Sequence, residues 1–140
     1  MTEQPVRFPV AQLELLASLT ATATEFIAYG DTPLGQRMDI YFEGELTGGP
    51  LSGKMRGIDY VLVRADGVSE INARATVLTG DGANISMQIF GYMRDGEIRD
   101  AHVRLLTGDE RYKWLCEKTI IGRGKLPSPT QIEIDYFYEP

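Results

Sequence analysis

Apolar and polar residues alternate along most of this chain, and glycine or proline interrupts the alternation about every ten residues. Period-two patterning between regular turn signals marks antiparallel strands joined by hairpins. Strands are predicted over 13–29, 37–43, 57–64, 70–79, 84–93, 97–107 and 131–138. In the first, Leu19-Thr-Ala-Thr-Ala-Thr24 sets threonines on one face against alanines on the other, which suits a strand and offers a helix no apolar stripe. Gly30 to Pro33 reads as a turn, and Thr47 to Gly53 must bend or bulge. Asp66-Gly67, Gly80-Asp81-Gly82 and Asp95-Gly96 are hairpin signals. Thr107-Gly-Asp-Glu110 has the form of a capping box, predicting a short helix over 111–118. The expected fold class is all-β: an antiparallel meander of about eight strands closed into a small barrel, with one short helix near the C-terminus, in one domain spanning 1–140. Closure removes the exposed edges of a meander. A two-sheet sandwich is the competing architecture.

Turn chemistry sets register, and register decides which side chains meet. A two-residue turn at Asp66-Gly67 pairs Ala65 with Val68 and sets Asp59 across from Arg74. A three-residue loop at Gly80-Asp81-Gly82, with Gly82 at positive φ, pairs Arg74 with Gln88 and Thr76 with Ser86. One sheet face then carries Asp59, Asn72, Arg74, Thr76, Ser86 and Gln88, extended by Arg37, Asp39 and Tyr41. The opposite face carries Ile58, Tyr60, Leu62, Ile71, Val77 and Ile89. An ordinary antiparallel sheet turns its polar face to water, and Asp59–Arg74 is then a surface pair worth under ~1 kcal/mol. The alternative is a polar lumen, suggested by the absence of lysine from that face. The apolar face would then be covered by a second subunit, making a homodimer.

Composition narrows the function. The hydrophobic share of 43% and charged share of 24% are those of a globular protein. A net charge of -6 with no basic cluster argues against nucleic acid and against anionic membrane surfaces. The single cysteine, Cys116, admits no internal disulfide, and Met1 to Pro5 lacks the basic and apolar regions of a secretory signal. With no apolar run of membrane-spanning length, a cytoplasmic protein is expected.

No metal motif appears, and no cofactor is expected. His102 is the only histidine and reads as a surface or packing residue; Cys116 reads as a small buried hydrophobe. The glycines of Thr47 to Gly53 lack phosphate-loop spacing. Trp114 could roof a pocket or pin the short helix.

The order Gly35-x-Arg37, Gly44-x-x-x-Gly48-Gly-Pro-Leu-x-Gly53, Gly57-x-Asp59-Tyr60, Arg64-x-Asp-Gly67, Ala73-Arg74 and Thr79-x-Asp-Gly-Ala83 resembles the bacterial family catalogued as domain of unknown function three-two-three-seven. Gly91 and Tyr112-x-Trp-Leu115 continue the likeness. The family pattern has Trp where this chain has Tyr60, and Asn where it has Cys116. The resemblance implies a small β-barrel and directs attention to Arg37, Asp59, Arg74 and Asp81; it implies no reaction.

These readings combine into a cofactor-independent isomerase or lyase moving a proton on a small, partly apolar oxygenated metabolite, aromatic ones included. Asp59 is the expected base, with Arg74 beside it as the second catalytic residue. Arg37, Tyr41, Thr76, Gln88 and Trp114 are expected substrate contacts. The rivals are a non-catalytic binding barrel and a structural domain whose ion pair fixes register.

Overall fold

The computed structural model describes residues 3–7 and 12–140; the signal-sequence reading of Met1 and Thr2 lies outside them. Eight antiparallel strands follow one another around a closed barrel: β1 (Glu14–Thr32), β2 (Gly35–Thr47), β3 (Gly53–Val63), β4 (Ser69–Thr79), β5 (Asn84–Arg94), β6 (Glu97–Leu106), β7 (Ile120–Ser128) and β8 (Gln131–Tyr138). β1 pairs with both β2 and β8, which closes the sheet. The expected barrel is the fold, and the sandwich is excluded. Among the described residues no helix is long and apolar enough to cross a membrane.

The first strand behaves as its alternation requires. Leu19 and Ala21 are buried, while Thr20, Thr22 and Thr24 face outward. β1 runs past Gly30, absorbing it at a bulge, so the turn falls at Pro33-Leu34 and not at Gly30 to Pro33. Gly80-Asp81-Gly82 forms the expected three-residue loop: Gly82 has φ +91°, Thr76 faces Ser86 and Arg74 faces Gln88.

The Asp66-Gly67 hairpin differs by one residue. Gly67 N–H donates to the Arg64 carbonyl, and Arg64 N–H donates to the Val68 carbonyl. The loop is therefore Ala65-Asp66-Gly67, a three-residue turn with Gly67 left-handed at φ +85°. Arg64, not Ala65, faces Val68. The slip carries down the whole ladder, so Asp59 faces Ala73 and Arg74 faces Ile58. Because side chains alternate, a one-residue slip exchanges the two faces of β3. Asp59 turns into the barrel, while Ile58, Tyr60 and Leu62 turn out beside Arg74, Asn72 and Glu70.

The polar-lumen arrangement is thereby corrected. Ile71, Val77 and Ile89 are barrel core, at 8%, 0% and 5% exposure. That face needs no second subunit, and the argument for a homodimer built on it fails. Arg74, Thr76 and Ser86 are exposed on the outer wall.

One end of the barrel is shut. Leu16, Leu51 and Leu115 are fully buried there. Leu51 comes from the β2–β3 connection and Leu115 from a 3-10 turn, Lys113–Glu117, that replaces the expected helix. The capping box does not form. Thr107 Oγ1 accepts from Asp109 N–H, and the Asp109 carboxylate accepts from Arg111 N–H, so the chain makes successive tight turns. Trp114 packs edge-on against Tyr138 and pins this turn. Asp81 completes the clamp, accepting from Tyr112 Oη at 2.9 Å and pairing with Arg111 at 3.2 Å.

Candidate functional site

The barrel interior holds a cavity of about 170 Å³, reaching from mid-barrel toward the end opposite Leu115. Met38, Val63, Ser69, Met93 and Leu126 surround that end and are partly exposed, so this is the accessible mouth. Among the described residues the lining is apolar except for three side chains: Asp59, Ser69 and Tyr136. Asp59 is the single charged one.

Asp59 is held by the strand beside it. Its Oδ1 accepts the backbone N–H of Asn72 at 2.9 Å. The β3–β4 ladder carries no bridge partners between the pairs Asp59–Ala73 and Leu62–Glu70, so the carboxylate takes a backbone donor where strand pairing is interrupted. Burial raises its pKa from 3.8 to about 6, outweighing the opposing pull of the Asn72 N–H and the Arg37 charge. It can therefore be proton acceptor or donor near neutral pH.

Tyr136 reaches the same cavity from β8. Its hydroxyl is buried and has no hydrogen-bond partner among the described residues. Burial, with the nearby Asp59 charge, pushes its pKa upward, so it stays a neutral donor. The ring lies over Gly122, its neighbour on β7; a Cβ there would stand 2.9 Å from the ring edge. Sequence reasoning missed Tyr136, although period two in 131–138 sets it on one face with Ile134.

The remaining expected residues lie elsewhere. Arg37 sits on the outer side of β2, donating to the Val61 and Met38 carbonyls at 2.8 and 3.0 Å and pairing with Asp39 at 2.9 Å. Tyr29 covers this pair, with its ring 5.2 Å from the guanidinium and its hydroxyl donating to Asp39. Arg37 thus acts on Asp59 only through its charge. Arg74, Tyr41 and Thr76 do come together, in an outer depression lined also by Ile58 and Tyr60, away from Asp59. Gln88 lies outward beside Arg74 and His102, and Trp114 belongs to the closed end. Of the expected site, only Asp59 enters the cavity, with Arg37 just behind the wall.

A larger outer hollow, about 700 Å³, runs over β1, β6, β7 and β8. Its polar groups satisfy one another: Arg123 pairs with Asp100 at 2.7 Å, and the Ser18 hydroxyl donates to Asp135 at 2.7 Å. Its charged side chains, among them Arg99, Arg123 and Lys125, are exposed. Among the described residues no cluster of His, Cys, Asp and Glu is placed to hold a metal.

The family model described as a protein of unknown function, DUF3237, matches residues 11–101. The chain belongs to the DUF3237 family. The match includes Arg37 and Asp59 and ends before Tyr136. Solved structures share the barrel. A β-barrel-like protein from Acinetobacter baumannii is 22% identical with a TM-score of 0.82, covering 96% of this chain and 100% of its own. A protein of unknown function from Clostridium acetobutylicum is 23% identical with a TM-score of 0.84, covering 93% and 100%. A structure described as an enzyme from Penicillium herquei is 23% identical with a TM-score of 0.73, covering 97% and 100%. No curated protein matches the chain.

Proposed function

We propose that the barrel is a cofactor-independent isomerase or lyase in which Asp59 exchanges a proton with a small, partly apolar metabolite bound in the lumen. The observation that carries this is one carboxylate, poised near pH 6, in an otherwise uncharged apolar cavity. A proton-transfer catalyst is most effective when its pKa lies near working pH, and a fixed, partly desolvated carboxylate meets that need. Arg37 supports it from behind the wall, favouring the charged form without occupying the cavity. A likeness in fold to the protein described as an enzyme from Penicillium herquei agrees with catalysis. The volume restricts the substrate. An apolar cavity of roughly 150 Å³ accommodates benzene, so a single-ring or similarly sized molecule fits here.

The test is Asp59→Asn, assayed for solvent deuterium incorporation into bound small molecules beside the melting temperature. The amide keeps the shape and can accept the Asn72 N–H, so the fold should persist. Proton transfer should fall by roughly 10²–10⁴-fold. A variant that exchanges as fast as wild type refutes the assignment. The apolar lining also favours a second reading, a barrel that binds without turnover. It predicts wild-type protein that retains ligand and exchanges no proton.

A further inference from the structure

We infer that Tyr136 is a second ligand-contacting group of the cavity, and that the ligand is an uncharged, single-ring-sized carbonyl compound. Its oxygen would accept a hydrogen bond from Tyr136 while Asp59 takes a proton from the adjacent carbon. The inference rests on the proton-transfer reading of Asp59 and adds the substrate class.

Three observations converge on it. First, Tyr136 lines the cavity close enough to feel the Asp59 charge, and its buried hydroxyl has no partner among the described residues. A buried hydroxyl without a partner costs roughly 1–3 kcal/mol, and a ligand acceptor at that point would remove the cost. The ring cannot easily turn away, because it lies against the backbone of β7 at Gly122.

Second, the charge pattern selects a neutral ligand. Among the described residues Asp59 is the only carboxyl in the lining, and no cationic side chain lines the cavity with it. An anionic ligand would be repelled. An ammonium would have to give up its hydration in an apolar cavity with one carboxylate as its partner, a cost that the ion pair need not return. Third, the volume of about 170 Å³ holds one ring and little more.

The chemistry closes without a co-reactant. Asp59 carboxylate removes a proton from the carbon next to the carbonyl. The C–H electron pair becomes the new carbon–carbon π bond, and the carbonyl π pair moves to oxygen. The growing negative charge there strengthens the Tyr136 hydrogen bond. Return of the same proton from Asp59 to another position of the enolate gives an isomer. All atoms and electrons remain in the substrate.

The probes are cyclohexanone, cyclohexene and cyclohexylamine, which share a ring and differ in the group presented. Affinities by ligand-observed NMR should favour cyclohexanone about tenfold, the worth of one hydrogen bond. Tyr136→Phe should erase that preference while the melting temperature holds or rises, because the lost hydroxyl had no protein partner. Deuterium exchange next to the carbonyl should fall by about 10²–10³-fold, as for loss of one oxyanion donor. Gly122→Ala is the second variant: its methyl displaces the ring with every cavity group retained, and it should weaken the preference likewise. A Tyr136→Phe protein that keeps the preference overturns the Tyr136 assignment while leaving proton transfer at Asp59 standing. So does tighter binding of cyclohexylamine, or failure of the wild type to bind cyclohexanone. An Asp59→Asn protein that exchanges at the wild-type rate, with the Tyr136-dependent preference intact, overturns the proton-transfer reading instead.

Discussion

The lumen carboxylate makes the protein's stability depend on pH in a direction opposite to that of a surface ion pair. Asp59 titrates near its ordinary value of 3.8 when unfolded and at about 6 when folded. Between these values the native state binds more protons than the unfolded chain, so stability falls as pH rises through that window. Below about pH 4 both states are protonated and nothing is lost. Above about pH 6 the full penalty applies, at most roughly 3 kcal/mol for a shift of this size. Asp59→Asn escapes it, so the variant should match wild type in urea unfolding near pH 4 and exceed it near pH 7. A difference that stays flat across this range would mean that Asp59 is not desolvated. Any proton abstraction by Asp59 should run the other way, its rate rising through about pH 6 as the base ionises. At this scale the sequence was partly legible. Asp59 was singled out because a two-residue turn at Asp66-Gly67 sets it across from Arg74, and that partner was misread: Asp59 faces Ala73. Tyr136 gave no signal beyond period two, since a tyrosine in an alternating strand is ordinary core.

What separated the expected site from the observed one was a single element, the β3–β4 hairpin. The dipeptide Asp-Gly occurs both at 66–67 and at 95–96, and the chain uses it in two ways. Asp95 and Gly96 both adopt left-handed backbone, at φ 54° and 75°, and form a two-residue turn joining Arg94 to Glu97. At 66–67 only Gly67 is left-handed, and Asp66 instead accepts Val68 N–H and pairs with Arg64. The Asx turn that Asp66 makes with Val68 N–H, braced by the Arg64 pair, goes with the longer loop. Composition of the dipeptide alone does not decide between them. Glycine substitutions measure the two demands separately. Around Gly67 a Cβ meets nothing within 4 Å, so Gly67→Ala should cost only the left-handed penalty, about 1 kcal/mol. At Gly57 a Cβ would strike the Arg74 carbonyl and stand 2.8 Å from the Ala75 side chain. Gly57→Ala must push β3 off β4, costing about 1–3 kcal/mol or more, as overpacking does. Denaturant melts giving the reverse order would mean that the hairpin, not the close strand approach, is the fragile element.

Closure turns these local facts into a molecule with an inside and an outside that alternate residue by residue. Eight strands leave an interior just wide enough for side chains or one small ligand. Here the large side chains Leu16, Leu46, Ile85, Leu105 and Leu115 fill one part, and the smaller Ala23, Ala73 and Ala101 leave the cavity beside Asp59. The number of strands and the apolar content were readable from spacing and alternation. Which face turned inward was not, because both faces of β3 carry large apolar residues and only the turn breaks the tie. Neighbouring positions on β4 therefore test the whole arrangement. Ala73 is 3% exposed and faces Asp59 across the ladder, whereas Arg74 is exposed on the outer wall. Ala73→Leu adds a branched side chain to the cavity rather than to packed core. It should block small-molecule binding at least tenfold, while the filled void limits the loss of stability to about 1 kcal/mol or less. Arg74→Ala removes an exposed side chain with no ion-pair partner among the described residues, and should change stability by less than about 0.5 kcal/mol and leave binding as in wild type. Calorimetric titration of both variants with cyclohexanone, beside their urea melts, decides the matter. If Arg74→Ala abolishes binding and Ala73→Leu does not, the ligand sits on the outer wall with Tyr41, Tyr60 and Thr76, and the lumen is only a core.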